Sequence, residues 1–139
     1  MTPGVVRIVS GMVSVVCFAM IALAFVLVPD PSGVGTHQQM MAPPCWLHLF
    51  TGLPCPFCGM TTAFAHLARG QVARAFACHC LGPAAYVFVW AVGIVGLWGL
   101  VTGRSYPLRL LASYSVQKLL LAVVMGGWMV NLARVILRP

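Results

Sequence analysis

Three long apolar stretches constrain this chain more than any other feature. They cover residues 5–28, 81–102 and 116–137. A helix rises about 1.5 Å per residue, so each stretch is long enough to cross a hydrocarbon core about 30 Å thick. We therefore predict an all-α integral membrane protein, a single membrane domain over residues 1–139 with three transmembrane helices.

The composition supports a membrane location. Hydrophobic residues make up 61% of the chain and charged residues only 6%, against roughly 25% charged residues in a soluble domain. The formal net charge of +7 comes from cations that stand singly between apolar runs, which is typical of helix ends anchored at lipid headgroups and not of a nucleic-acid surface. We expect the lipid bilayer of the cell (inner, cytoplasmic) membrane as partner, and no nucleic acid.

The scarcity of acidic residues excludes several classes of enzyme. Asp30 is the only carboxylate side chain, so the paired carboxylates of glycosidases and aspartic proteases cannot form. A carboxylate-driven ion pump is disfavoured for the same reason. The sequence also lacks a phosphate-binding glycine loop with lysine, a nucleophile elbow and an HExxH motif.

The first apolar stretch has two interpretations. A basic residue, Arg7, lies close to its start, as in a secretory signal peptide. The stretch is longer than the apolar region of about 7 to 15 residues in such peptides, and no clear cleavage site precedes Pro29. We favour a retained helix, in which Cys17 is a small buried residue.

The segment from 29 to 59 contains the motif that most clearly indicates a chemical function. Its proline density predicts an extramembrane or interfacial loop without regular helix. It ends in the string Cys55-Pro56-Phe57-Cys58-Gly59, and two cysteines at this spacing can bring both sulfurs into one small volume. Pro56 restricts the backbone of that turn, and Gly59 permits a positive φ after it.

A short helix is predicted after this turn, over residues 60–77, with a possible break at Gly70. It is too short to span the bilayer and suits an interfacial or re-entrant position. If Cys55 and Cys58 lie at its N-terminus, we expect the helix dipole to lower their pKa values.

A zinc site is the favoured interpretation of the cysteines. Structural zinc takes four nitrogen or sulfur ligands, and Cys55 with Cys58 supplies two of them. The second pair is either Cys45 with His48, or Cys78 with Cys80, whose spacing is close to that of a zinc ribbon. Further ligand-capable residues nearby are His66 and His79. Zinc is favoured over copper or an iron–sulfur cluster.

Two other interpretations stay open. Cys55 and Cys58 could exchange thiols and disulfides, with Cys45 or the pair Cys78 and Cys80 as the second thiol group. Alternatively the cysteines form structural disulfides or simply pack, and the chain is an accessory subunit whose partner is another membrane protein. The sequence does not decide between catalysis and binding.

The segment from Cys45 to Thr61, CWLHLFTGLPCPFCGMT, resembles the signature of a bacterial family of small membrane proteins, domain of unknown function 2752. Its members are similar in having a Cys, a Thr-Gly pair, Cys-Pro-x-Cys-Gly, a short helix and two apolar helices. The resemblance covers roughly residues 42–136 and singles out Cys45, Cys55 and Cys58. Members usually have Arg where this chain has Thr62, and Asn-Pro where it has His79-Cys80.

The orientation of the helices in the membrane is weakly determined. A basic loop over residues 103–115 is predicted between the second and third spans. The cations divide evenly between the two sides, so the positive-inside rule does not choose between them. The loop before the CxxC motif has no lysine or arginine, which favours an extracytoplasmic cysteine group.

Overall fold

The computed structural model describes residues 2–104 and 113–137. Within these ranges every regular element is a helix. The elements in chain order are α1 (Pro3–Val26), a 3-10 helix (Thr36–Met40), α2 (Trp46–Thr51), α3 (Met60–Ala68), α4 (Val72–Cys78), α5 (Gly82–Thr102) and α6 (Tyr114–Ile136). Most of the predicted basic loop lies at 105–112, outside the described residues.

The three predicted spans are present as α1, α5 and α6. They contain 24, 21 and 23 residues and are long and apolar enough to cross a membrane. Their ends lie within two residues of the predicted ones. Helix α1 begins at Pro3, because the fixed φ of proline suits the first helical position, and α5 ends before Gly103, which adopts a φ of +70°. The chain is a multi-pass membrane protein.

Helices α1 and α5 pack closely as an antiparallel pair. Ser14 Oγ donates a hydrogen bond to the carbonyl oxygen of Gly93, 2.9 Å away. A Cβ on Gly96 would lie 2.6 Å from Ser14 Oγ, and one on Gly99 would lie 2.5 Å from Ser10 Oγ. Small residues on both faces therefore let the backbones approach, which is how helices associate where lipid offers no hydrophobic driving force.

The prediction that residues 29–59 contain no regular helix was wrong. A 3-10 helix covers Thr36–Met40 and α2 covers Trp46–Thr51. The prolines lie before and after α2, at 43, 44 and 54, so none removes a hydrogen bond from its interior. Gly52 ends α2 with a φ of +69°.

The predicted helix over 60–77 consists of two helices. Gly70, with a φ of +72°, lies between α3 and α4, which pack on each other. Helix α3 also contacts α1 and α5 and buries Ala63, Phe64 and Ala65. The ring of Phe64 meets Tyr86 of α5 edge to face, with centroids 5.2 Å apart. The pair α3 and α4 therefore covers one end of the α1/α5 pair.

Two arginines tie this covering layer to the spans. Arg69 donates to the carbonyl oxygens of Ala24 and Phe25, both at 3.3 Å, at the C-terminal end of α1. Arg134 of α6 donates to the carbonyl oxygen of Phe76 in α4, at 3.1 Å. Because α5 begins at this end and α6 finishes there, the segments that carry the cysteines from Cys45 to Cys80 lie at one end of the three spans.

Candidate metal centre

The sulfur atoms of Cys45, Cys55 and Cys58 form one group. The three Sγ atoms lie within 4.8 Å of one another, and each cysteine is half-buried. Across residues 2–104 and 113–137 this is the only group of three or more His, Cys, Asp or Glu side chains at such distances. The structure thus brings together the CxxC pair and the cysteine ten residues before it.

Local backbone geometry explains how the three sulfurs meet. Cys45 precedes α2 as its N-cap. The N–H of Cys58 bonds to the carbonyl oxygen of Cys55, at 3.0 Å, which closes the CxxC turn. Gly59 then adopts a φ of +85°, and a Cβ there would lie 2.6 Å from the carbonyl oxygen of Cys78. The prediction that Gly59 provides a positive φ is confirmed. The close approach of α4 is a second reason why this position needs glycine, since any Cβ would collide with it.

Side chains from outside the loop hold the two carbonyl groups that flank Cys55. The indole Nε1 of Trp128 in α6 donates to the carbonyl oxygen of Pro54, 2.8 Å away. His79, which is only 1% exposed, places Nε2 at 3.0 Å from the carbonyl oxygen of Pro56. Its Nδ1 accepts the N–H of Leu81 at 3.2 Å, so Nε2 carries the proton. Burial lowers the pKa of His79 and favours this neutral form.

His48 lies beside the three-sulfur group and not within it. Its side chain is exposed and lines two cavities, each of which also includes Cys58 in its wall. The backbone N–H of His48 is the largest cause of a lowered pKa at the Cys45 thiol. In the first ligand set predicted from the sequence, the three cysteines therefore lie together, and the imidazole of His48 lies next to them.

The second predicted ligand set, comprising Cys78, Cys80, His66 and His79, lies outside the group. His66 Nδ1 bonds to Gln71 Oε1 at 2.7 Å. Cys80 Sγ is 3.4 Å from the carbonyl oxygen of Gly127, and His79 uses both ring nitrogens as described above. Cys78 is half-buried and lines the same cavity as Cys58.

The expectation that a helix N-terminus lowers the pKa of Cys58 was wrong. The pKa of Cys58 is raised to about 12, mainly by burial and then by its hydrogen bond with Cys55. Desolvation of the thiolate outweighs the dipole of α3, since Cys58 lies before the N-cap Gly59. Ionising Cys58 is therefore costly without a cation, and a bound metal ion offsets that cost because it takes its ligands deprotonated.

Sequence reasoning did not single out Trp128 or the pair Thr36 and Thr62. The hydroxyl groups of these threonines are buried and 2.8 Å apart. Thr62 therefore joins the loop to α3 by a short polar contact with Thr36. A tryptophan well inside an apolar span was a usable signal, because a buried indole N–H usually has an acceptor. Asn131, also in α6, accepts the N–H of Cys80 through Oδ1, at 3.3 Å.

One protein-family model matches the segment that carries the three cysteines. A family model described as "Protein of unknown function (DUF2752)" matches residues 45–93. The family resemblance is thereby confirmed over this segment. The DUF2752 segment begins at Cys45, includes Cys55 and Cys58, and ends inside α5. Searches of curated proteins and of solved structures returned no match.

Proposed function

We propose that this chain is a membrane protein that binds a zinc ion on Cys45, Cys55 and Cys58 at the membrane surface. The observation that supports the proposal is the approach of three half-buried sulfur atoms to within 4.8 Å of one another. Cys45 caps α2, and Cys55 and Cys58 share one turn, in a loop held by hydrogen bonds from α6 and from the α4/α5 junction.

The distances suit a single metal ion. Three sulfurs bound to one tetrahedral zinc at about 2.3 Å lie about 3.8 Å from each other. The observed limit of 4.8 Å therefore leaves an adjustment of about 1 Å or less in any pair. Sulfur ligands select zinc, copper(I) or iron and disfavour magnesium and calcium.

The chain's contribution is to hold three ligands in place before the metal binds. Gly59 sets the direction of the chain after Cys58, and His79 and Trp128 fix the carbonyl groups on either side of Cys55. His48 lines both neighbouring cavities, and we place it at the access to the fourth coordination position. A bound zinc ion would cross-link the loop, and it would act as a Lewis acid if one of its coordination positions stays open.

Metal analysis of purified protein tests the proposal. We expect about one zinc per chain in reduced protein held in detergent or nanodiscs, and loss of that zinc in Cys45→Ser, Cys55→Ser and Cys58→Ser. Cys17→Ser is the matched control, because Cys17 is buried in α1 against Gly93. Absence of a stoichiometric ion from reduced wild-type protein would contradict the proposal.

A second candidate function is thiol–disulfide exchange by Cys55 and Cys58, supported by the same closeness of half-buried thiols. In that reaction one thiolate attacks a disulfide of a partner protein, forms a mixed disulfide and releases a partner thiolate. The second cysteine then attacks the mixed disulfide, so that the partner leaves reduced and Cys55 and Cys58 are oxidised. Replacing the second cysteine by serine should trap the mixed disulfide, and failure to trap it with either variant would argue against this function.

A further inference from the structure

We propose that the fourth coordination position of the metal takes a small acidic thiol, which carries a thiolate for the metal and a carboxylate for Arg134. The inference rests on the proposed zinc centre and adds the class of ligand that it takes. The observation behind it is a cavity whose wall includes Cys58, one member of the three-sulfur group, and residues of α6.

The cavity lies between Cys58 and the C-terminal part of α6. Its volume is about 320 Å³, whereas one water molecule occupies about 30 Å³ in the liquid. The space is therefore larger than a metal-bound water or hydroxide needs and lies at the lower end of pockets for small organic molecules. Its walls are formed by Ser32, Gly33, Val34, His48, Gly52, Pro54, Cys58, Ala77, Cys78, Asn131, Arg134 and Val135.

The lining favours a negative ligand. Arg134 supplies a permanent positive charge, and no carboxylate side chain is among the lining residues. Arg134 donates one hydrogen bond to the carbonyl oxygen of Phe76, and a guanidinium group has five N–H donors, so this bond does not exhaust it. Asn131 accepts from Cys80 through Oδ1, which leaves its amide NH₂ as a donor.

Two different anchors therefore lie in one cavity. Cys58, in the cavity wall, belongs to a three-sulfur group that is one ligand short of a tetrahedron among the described side chains. Arg134, in the same wall, suits a carboxylate, which it can bind with two parallel hydrogen bonds. A molecule with a thiol at one end and a carboxylate at the other matches both. On binding, the thiol loses its proton to solvent and the sulfur becomes the fourth metal ligand, without a change of oxidation state.

Cobalt(II) replaces zinc as a spectroscopic probe in the test. The full chain in nanodiscs is loaded with cobalt, the bound cobalt is quantified, and mercaptoacetate is titrated while the ligand-field and sulfur-to-cobalt bands are recorded. The neutral thiol 2-mercaptoethanol and the thiol-free anion acetate are the comparison probes. We expect a saturable spectral change with mercaptoacetate, at least tenfold tighter than with 2-mercaptoethanol, and none with acetate.

Variants test the role of Arg134. Arg134→Gln should remove the advantage of mercaptoacetate over 2-mercaptoethanol while the cobalt content stays the same, and Arg134→Lys should retain part of it. Arg74→Gln is the matched control, because Arg74 is exposed on α4 and lies outside the cavity wall. Its ligand preference should equal that of the wild type.

The outcomes separate this inference from the proposed function. If cobalt does not load, the metal centre is wrong and this inference is wrong with it. If cobalt loads but mercaptoacetate leaves the spectrum unchanged or removes the metal, the fourth coordination position does not accept the thiol, for example because His48 occupies it. Only this inference is then overturned. Equal affinity for the two thiols, or no effect of Arg134→Gln, would also overturn it.

Discussion

The imidazole Nε2 of His79 donates a hydrogen bond to the carbonyl oxygen of Pro56, 3.0 Å away, and so joins the start of α5 to the middle of the CxxC turn. The ring is almost fully buried and its second nitrogen accepts the N–H of Leu81. His79 therefore holds the backbone between Cys55 and Cys58 by a hydrogen bond, whereas the sequence offered it as an alternative metal ligand.

Replacement of His79 should weaken both the fold and the metal site. His79→Ala leaves the carbonyl of Pro56 and the N–H of Leu81 without their partner, and each buried unpaired group costs about 1–3 kcal/mol. We expect a lower thermal unfolding temperature and weaker zinc binding, measured against a chromophoric chelator. His37→Ala, in the 3-10 helix, is the control. An unchanged zinc affinity in His79→Ala would show that the turn forms without this support.

Trp128→Phe isolates the hydrogen bond between α6 and Pro54. The change keeps an aromatic ring but removes the indole N–H that donates to the Pro54 carbonyl at 2.8 Å. We expect a loss of stability of about 0.5–1.5 kcal/mol and faster release of zinc to a chelator. Trp98→Phe is the matched control, since Trp98 lies exposed on α5. Equal release rates in the two variants would contradict a role for α6 in holding the site.

Glycine substitutions separate backbone strain from close contact. Gly52 and Gly59 both have positive φ, of +69° and +85°. A Cβ on Gly52 meets nothing within 4 Å, whereas one on Gly59 would lie 2.6 Å from the carbonyl oxygen of Cys78. Gly52→Ala should therefore lower the stability only by the cost of placing alanine in the left-handed conformation, about 1–2 kcal/mol. This variant should retain zinc. Gly59→Ala should cost more and lose zinc, as measured by thermal unfolding and metal content. Equal losses of stability and zinc in the two variants would mean that α4 can move away from the added Cβ at no cost.

Thiol labelling in intact cells reports both whether the cysteines are free, metal-bound or oxidised and on which side of the membrane they lie. With a membrane-impermeant, mass-shifting maleimide, we expect Cys45, Cys55 and Cys58 to react only after a chelator is added, because a bound metal protects thiolates from alkylation. Labelling that requires a reductant instead would indicate a disulfide and favour the redox function. Labelling only after the cells are permeabilised would contradict the predicted extracytoplasmic position.

The sequence predicted the membrane class and the three spans closely, because an apolar run of sufficient length has few alternatives to a helix in a bilayer. It was less reliable between the spans. Proline density predicted an irregular loop, yet α2 fits between the prolines at 44 and 54. The predicted drop in the pKa of Cys58 failed, because the burial that opposes it depends on how α3, α4 and the loop pack.

The sequence by itself determined that this chain spans a membrane and that Cys55 and Cys58 share one turn, since both follow from local spacing and from the polarity of consecutive residues. Only the tertiary structure decided that Cys45 joins them while Cys78, Cys80, His66 and His79 do not. That choice depends on contacts between residues far apart in the chain, such as Trp128 with Pro54 and His79 with Pro56. The spacing of cysteines and histidines along the sequence does not encode such contacts.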